Sequence, residues 1–132
     1  MRNLLILFSF LIAFTAISQE NYDNVVFKFK SKSEFENQFN KTSEKKYDFT
    51  ILGLENNEQA TKLQQKISKS RGVESFTISE KDETGIRNAK IKLYKYAYNW
   101  VFYEFFFKNN GIKTVIIENI KYNTEGLNLS KN

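Results

Sequence analysis

Residues 48–79 constrain the fold most, because a strand, a loop, a helix and a returning strand can be recognised there in succession. Residues 48–54 are apolar and strand-forming, as expected for a strand that is covered on both sides. After a polar run at 55–58, three apolar residues recur at helical spacing: Ala60, Leu63 and Ile67. This spacing predicts a helix that lays one apolar stripe on a sheet.

Both ends of this helix carry residues that helix ends favour. Asn56 or Asn57 can cap the first turn, because a side-chain oxygen there accepts a hydrogen bond from a free amide. Arg71 and Gly72 end the helix, since a cation suits the carboxyl end and glycine suits a left-handed cap. The next strand begins at Val73. The stretch therefore predicts one β-α-β unit.

A strand that ends in a glycine-containing loop, followed by a helix that ends in Gly-Val, resembles the heavy-metal-associated domain. The resemblance covers roughly residues 47–122 and rests on Gly53, Ala60, the Gly72-Val73 pair and the element order. It implies a ferredoxin-like βαββαβ fold, so we expect an α+β two-layer sandwich with an antiparallel sheet and helices on one face. Any ferredoxin-like sandwich would show the same residues, so descent from this family stays open while the expected fold is unchanged.

The metal loop of that family, Gly-Met-Thr-Cys-x-x-Cys, corresponds to residues 53–59. Both cysteine positions are occupied by carboxamides, Asn56 and Gln59. Carboxamides are poor ligands for the soft metal ions that the family carries. The resemblance therefore implies the fold without the metal site, and we expect no cofactor. The alternative is residual metal handling, with Asn56, Gln59 and Glu55 or Glu58 as oxygen ligands.

The first 18 residues have the features of a secretory signal peptide. Arg2 precedes an apolar run at 4–14, and small residues close the segment. We expect cleavage between Ser18 and Gln19, and therefore a secreted or periplasmic protein. The alternative is an uncleaved membrane anchor. The run is shorter than the roughly 20 residues of a spanning helix, so we predict no transmembrane segment in the mature chain.

Residues 19–47 are predicted to form an N-terminal strand-helix extension. Val25, Phe27 and Phe29 alternate with Val26, Lys28 and Lys30, which is the pattern of a half-buried strand. Ser33 and Glu36 fit a capping box, which predicts a short helix after this strand. We expect the extension to add an edge strand and a covering helix to the domain at 48–122.

The C-terminal half completes the predicted fold. Residues 89–94 read as the third strand of the unit, paired with 75–79, because apolar and lysine residues alternate there. A last strand is predicted over 113–122, and 123–132 is predicted to be a polar, frayed tail. Together these elements predict a single folded domain.

The aromatic run at 96–107 is compatible with a strand or a helix. Its aromatic content favours a strand. A cap-type residue at Asn99 and the ending Lys-Asn-Asn-Gly favour a helix, which we predict. On such a helix Phe102, Phe106 and Tyr103 can face the sheet.

Four other apolar residues of this helix spread around its remaining sides: Trp100, Val101, Phe105 and Phe107. One helix of a two-layer fold cannot bury all of them. Either the N-terminal extension covers the remainder, or an apolar patch is left for a partner. In the second case we expect Trp100, Phe105 and Phe107 to be contact residues, since large aromatic side chains concentrate binding energy.

Composition excludes several functions. The 132 residues include no histidine and no cysteine, which removes the usual zinc and thiolate sites and every histidine-based triad. The formal charge is +5, with lysines scattered among glutamates, so we expect no nucleic-acid partner. Because the histidine- and cysteine-based sites are missing, we expect that the protein is not an enzyme.

These observations favour a secreted or periplasmic, non-catalytic binding domain whose partner is an unknown protein or cell-envelope component. Residual metal handling is the first alternative. The second alternative is a self-associating structural domain, a homo-oligomer that uses the aromatic face.

Overall fold

The computed structural model describes residues 21–32, 46–81, 83–94 and 100–127. The predicted signal peptide at 1–18 and the predicted helix after Ser33 lie outside these residues. The described part contains six strands and two helices: β1 (Val26–Phe29), β2 (Lys46–Leu52), α1 (Asn57–Ser68), β3 (Val73–Ile78), β4 (Arg87–Leu93), α2 (Trp100–Asn109), β5 (Thr114–Ile117) and β6 (Ile120–Asn123). The predicted α+β class is confirmed.

All six strands belong to one open sheet in the order β3-β4-β2-β1-β5-β6. Strand β1 is antiparallel to β2 but parallel to β5, so the sheet is mixed and the predicted antiparallel sheet is wrong at this junction. The predicted edge position of β1 is also wrong, because β1 lies inside the sheet. Its two phenylalanines, Phe27 and Phe29, are buried, and both rings lie against the Phe49 ring of β2.

The predicted β-α-β unit forms, with a helix that begins as predicted and ends earlier than predicted. Asn56 is the N-cap of α1, and its Oδ1 accepts a hydrogen bond from the Gln59 amide at 2.8 Å. The helix ends at Ser68 with Lys69 as its C-cap, so the prediction that Arg71 and Gly72 end it is wrong. Gly72 lies in the turn before β3 with a left-handed φ of 89°, which only glycine adopts without strain. Strand β2 begins at Lys46, two residues earlier than predicted.

One face of the sheet carries the core. Apolar side chains from alternate strand positions join residues of both helices in a single hydrophobic cluster. At its centre the Phe49 ring lies 4.9 Å from the Phe27 ring and 5.0 Å from the Phe29 ring, centroid to centroid. On the opposite face of β2, Asp48 is exposed and Thr50 is half-buried. This strand is therefore covered on one side, not on both sides as its apolar sequence predicted.

The predicted last strand is a hairpin. Strands β5 and β6 pair across Glu118 and Asn119, which have φ values of 54° and 66°. Two left-handed residues are the geometry of the two-residue turn that matches the twist of a hairpin. Residues 123–127, predicted as the start of the tail, belong to the folded body, because Leu127 is buried and Thr124 Oγ1 donates to the Ile112 carbonyl at 2.7 Å.

The edge of the sheet at β3 is closed by side chains of α1. The Ile78 amide donates to Gln64 Oε1 at 2.8 Å, and Ser68 Oγ donates to the Phe76 carbonyl at 3.3 Å. These backbone groups point to the side of β3 opposite β4. A further strand could otherwise pair with β3 on that side. Strand β6 forms the other edge, and most of its residues are exposed.

Two tyrosines, Tyr103 in the core and the half-buried Tyr47 packed against it, have raised pKa values. Burial raises the pKa of Tyr103 above its usual range, and the neighbouring Tyr47 raises it further. Burial also raises the pKa of Tyr47, although its hydrogen bond with Tyr103 works in the opposite direction.

Alkaline pH is therefore expected to destabilise the protein. Above pH of about 10 the unfolded tyrosines lose their protons while Tyr47 and Tyr103 keep theirs in the folded state, so the free energy of unfolding falls as pH rises. Urea denaturation between pH 8 and 11 measures this slope. Tyr103→Phe should make the slope shallower than that of the wild type. Equal slopes in the two proteins would contradict the raised pKa of Tyr103.

Candidate functional site

The loop at residues 53–59, which corresponds to the metal loop of the heavy-metal-associated domain, caps helix α1. Asn56 Oδ1 accepts from the Gln59 amide at 2.8 Å, and Gln59 Oε1 accepts from the Glu55 amide at 2.7 Å. Gln59 Nε2 donates to the Asn21 carbonyl at 3.2 Å, which ties the loop to the segment that precedes β1. Both carboxamide oxygens are therefore engaged by backbone amides and serve the start of α1.

Two cations lie beside this loop and oppose the binding of a metal ion. Lys81 Nζ donates to the Glu55 carbonyl at 3.0 Å, and Arg87 Nη2 donates to Asn57 Oδ1 at 2.9 Å. The Arg87 side chain is buried, its Nη1 donates to the Ser79 carbonyl at 3.1 Å, and its Nε has no partner among the described residues. Like charges at close range repel each other, most strongly where water is excluded. Among the described residues, no group of three acidic side chains could hold a metal ion beside these cations.

Asn56→Ala should cost about 1 kcal/mol of stability, because the amide that Asn56 caps is left without its acceptor. Thermal unfolding with and without Cu, Zn or Ca measures both this loss and any residual metal binding. For a loop that only caps the helix, added metal leaves the melting temperature of both proteins unchanged. A rise in the wild type that disappears in Asn56→Ala would instead support metal handling.

The aromatic helix α2 divides its side chains between the core and the surface. Tyr103, Phe106 and Phe107 are buried, and Phe102 is half-buried. Val101 is 59% exposed and Phe105 is 57% exposed. The prediction that Phe102, Phe106 and Tyr103 face inward agrees with this division.

The three predicted contact residues have different positions. Phe105 lies on the surface, as a contact residue must. Phe107 does not, because its ring is 1% exposed and packs 6.1 Å from the Phe27 ring, which corrects its assignment to a surface patch. Trp100 begins α2, and its side chain lies outside the description.

Gly72 brings α2 close to the end of α1. A Cβ on Gly72 would stand 2.8 Å from Cζ of the Phe102 ring, so the ring occupies the space that only glycine leaves open. The Phe102 ring in turn stacks on Phe106 at 6.1 Å. Gly72, in the turn between α1 and β3, therefore permits the close approach of α2.

A groove of about 660 Å³ runs between the carboxyl end of α1 and the outer side of α2. Its α1 side carries three basic residues, Lys66, Lys69 and Arg71, together with Ser70. Its α2 side is largely apolar and includes Val101, Phe102 and Phe105. We call this the interhelix groove. Its volume lies within the range of about 300–1,000 Å³ that is usual for ligand sites.

Buried hydrogen bonds hold the floor of the interhelix groove. Asn110 is 1% exposed, and its Nδ2 donates to the Phe106 carbonyl at 2.8 Å and to Ser70 Oγ at 2.9 Å. These bonds connect the carboxyl ends of α1 and α2. The groove is therefore formed by a fixed arrangement of the two helices.

A second hollow of about 470 Å³ lies on the other side of α2. Its charged lining is mixed, with Glu104 and Glu125 beside Lys108 and Lys113. Phe105 lines both hollows and forms the ridge between them. The interhelix groove differs in that its charged residues are all basic.

The three cations of this groove were not predicted as site residues, and Arg71 was predicted only to end the helix. Three cations within six residues, 66–71, were the available signal. Their role depends on where α2 crosses, and nothing in α1 itself specifies that.

Searches of protein-family models, curated proteins and solved structures gave no match to this chain. The fold is therefore described as α+β, with one mixed six-stranded sheet and two helices in the described residues. Neither of these helices is both long enough and apolar enough to cross a membrane.

Proposed function

We propose that this chain is a secreted or periplasmic, non-catalytic binding domain that receives its partner around Phe105. The observation that carries the proposal is the exposure of Val101 and Phe105, at 59% and 57%, on the wall of a preformed groove. Exposed apolar side chains around a concavity are typical of interaction sites. The signal-like residues 1–18 support the location, and the lack of histidine and cysteine supports a role without catalysis.

We further propose that residues 46–117 are a divergent ferredoxin-like unit related to the heavy-metal-associated domain. The element order β2-α1-β3-β4-α2-β5 is the βαββαβ order of that fold and supports the relationship. Strand β1 is then an insertion between the first and last strands of the unit, β2 and β5. The helix cap at Asn56 and Gln59 takes the place of the thiolate loop.

Capture of partners from the medium or periplasm of the source cells tests the binding role. The wild type and a Val101→Ala/Phe105→Ala double variant are immobilised in equal amounts. We expect a partner that the wild type retains and the double variant loses, because truncation removes the apolar contact area. Ile120→Ala is the matched control, since Ile120 is 56% exposed but lies on β6. Equal capture by the wild type and the double variant would refute the proposal.

A further inference from the structure

We infer that the interhelix groove binds an acidic segment of a partner protein, one in which carboxylate side chains flank an apolar side chain. This inference rests on the proposed binding function and specifies the ligand class. Two features of the groove carry it: one wall is basic with no carboxylate to offset it, and the facing wall is exposed and apolar. Together they match a ligand that is both acidic and apolar.

The basic wall lacks the ion pairs that other lysines of the protein make. Lys62 pairs with Glu58 at 3.3 Å, Lys92 with Glu74 at 3.3 Å and Lys113 with Asp23 at 2.7 Å. In the described part of the chain, by contrast, no carboxylate pairs with a cation of the interhelix groove, and no acidic residue lines it. Lys66 contacts the Tyr22 ring, 5.6 Å from its centroid.

The helix dipole explains only part of this wall. A cation in the last turn of a helix is favourable, and Lys66 occupies that turn of α1. Lys69 and Arg71 follow the helix and are exposed beside α2. The helix dipole also does not explain why Val101 and Phe105, on the wall opposite these cations, are exposed to solvent. A ligand with complementary charge and an apolar side chain accounts for both walls.

The two walls also orient the ligand. Its apolar side chain lies against Phe105 and Val101, and its carboxylates face Lys69 and Arg71. Exposed Asn109 offers amide donors and acceptors to an extended peptide backbone. The concave shape favours a peptide segment over a membrane, since a flat lipid surface contacts the rims of a groove and not its floor.

The experiment is selection of a random dodecapeptide display library on the purified protein, expressed from its full sequence. We expect the selected peptides to be enriched in Asp and Glu beside Phe, Leu or Trp. The best peptide is then titrated by fluorescence anisotropy. A Lys66→Glu/Lys69→Glu/Arg71→Glu variant should bind it about tenfold more weakly, and added salt should weaken the wild-type complex. Lys46→Glu/Lys90→Glu/Lys121→Glu is the matched control, with the same charge change at exposed lysines on three strands of the sheet.

Three results would overturn the inference. The first is a selection that yields no consensus or a basic one. The second is an equal loss of affinity in the two charge-reversed variants, which would indicate non-specific attraction. The third is binding to vesicles that contain phosphatidylglycerol, dependent on Phe105 and stronger than binding to any selected peptide, which would assign the groove to a membrane. If capture of a natural partner still requires Phe105, the binding function survives any of these results. If it does not, the binding function fails as well.

Discussion

Gly53→Ala is expected to destabilise the protein by about 2–5 kcal/mol, the sum of left-handed backbone strain and overpacking. Gly53 follows β2 with a φ of 88°, and a Cβ there would overlap the carbonyl oxygen of Asn24. That oxygen belongs to the backbone just before β1, so it cannot rotate away as a side chain could. Relief of the overlap must separate β1 from the end of β2. Urea denaturation of the wild type and the variant measures the loss.

Gly85→Ala is the control for the backbone term. Gly85 has nearly the same φ, 83°, but no atom lies within 4 Å of the position of its Cβ. It should therefore show only the cost of a left-handed alanine, about 1–2 kcal/mol. If both variants lose the same stability, contact with Asn24 contributes nothing and the explanation from close approach is wrong.

Phe107→Ala should cost about 3–5 kcal/mol, the usual range for removal of a buried aromatic ring. The Phe107 ring is 1% exposed and lies 6.1 Å from Phe27 and 5.4 Å from Phe106. Its removal leaves a cavity where α2 meets the sheet. The loss is expected in the free energy of unfolding, measured with urea at pH 7.

Phe105→Ala provides the comparison two residues away on the same helix. Because the Phe105 ring is 57% exposed, its removal should change stability by no more than about 0.5 kcal/mol. A large loss in this variant would show that Phe105 supports the core and would remove it as a contact residue. A small loss in Phe107→Ala would contradict the packing described for α2.

The parts of the fold that depend on local chemistry could be predicted from the sequence. Asn56 caps the helix that it precedes, and Ala60, Leu63 and Ile67 form the buried stripe of that helix, so α1 was recognisable from its own residues. The place of β1 in the sheet depends on its pairing with β5, whose first residue is 88 positions further along the chain. No local pattern contains that information. The turn at Glu118 and Asn119 was missed because its left-handed geometry falls on residues other than glycine.

For the candidate site, too, local features could be predicted from the sequence, but the arrangement of its residues could not. Phe105 and Phe107 differ by about 200° around the helix, but aromatic residues on every side of α2 hide which face is inward. The exposed fractions of the two rings, 57% and 1%, separate them at once. Lys69 and Arg71 could be assigned to the end of α1, but their role as a groove wall requires the position of α2.

The side chains that cover β3 limit how copies of this protein can assemble. A fibre made by adding strands needs two open edges on every molecule, one to receive and one to offer. Gln64 and Ser68 occupy the backbone groups of Ile78 and Phe76 on one edge. A pairing through β6 would therefore end with two molecules and would leave nothing for a third to join.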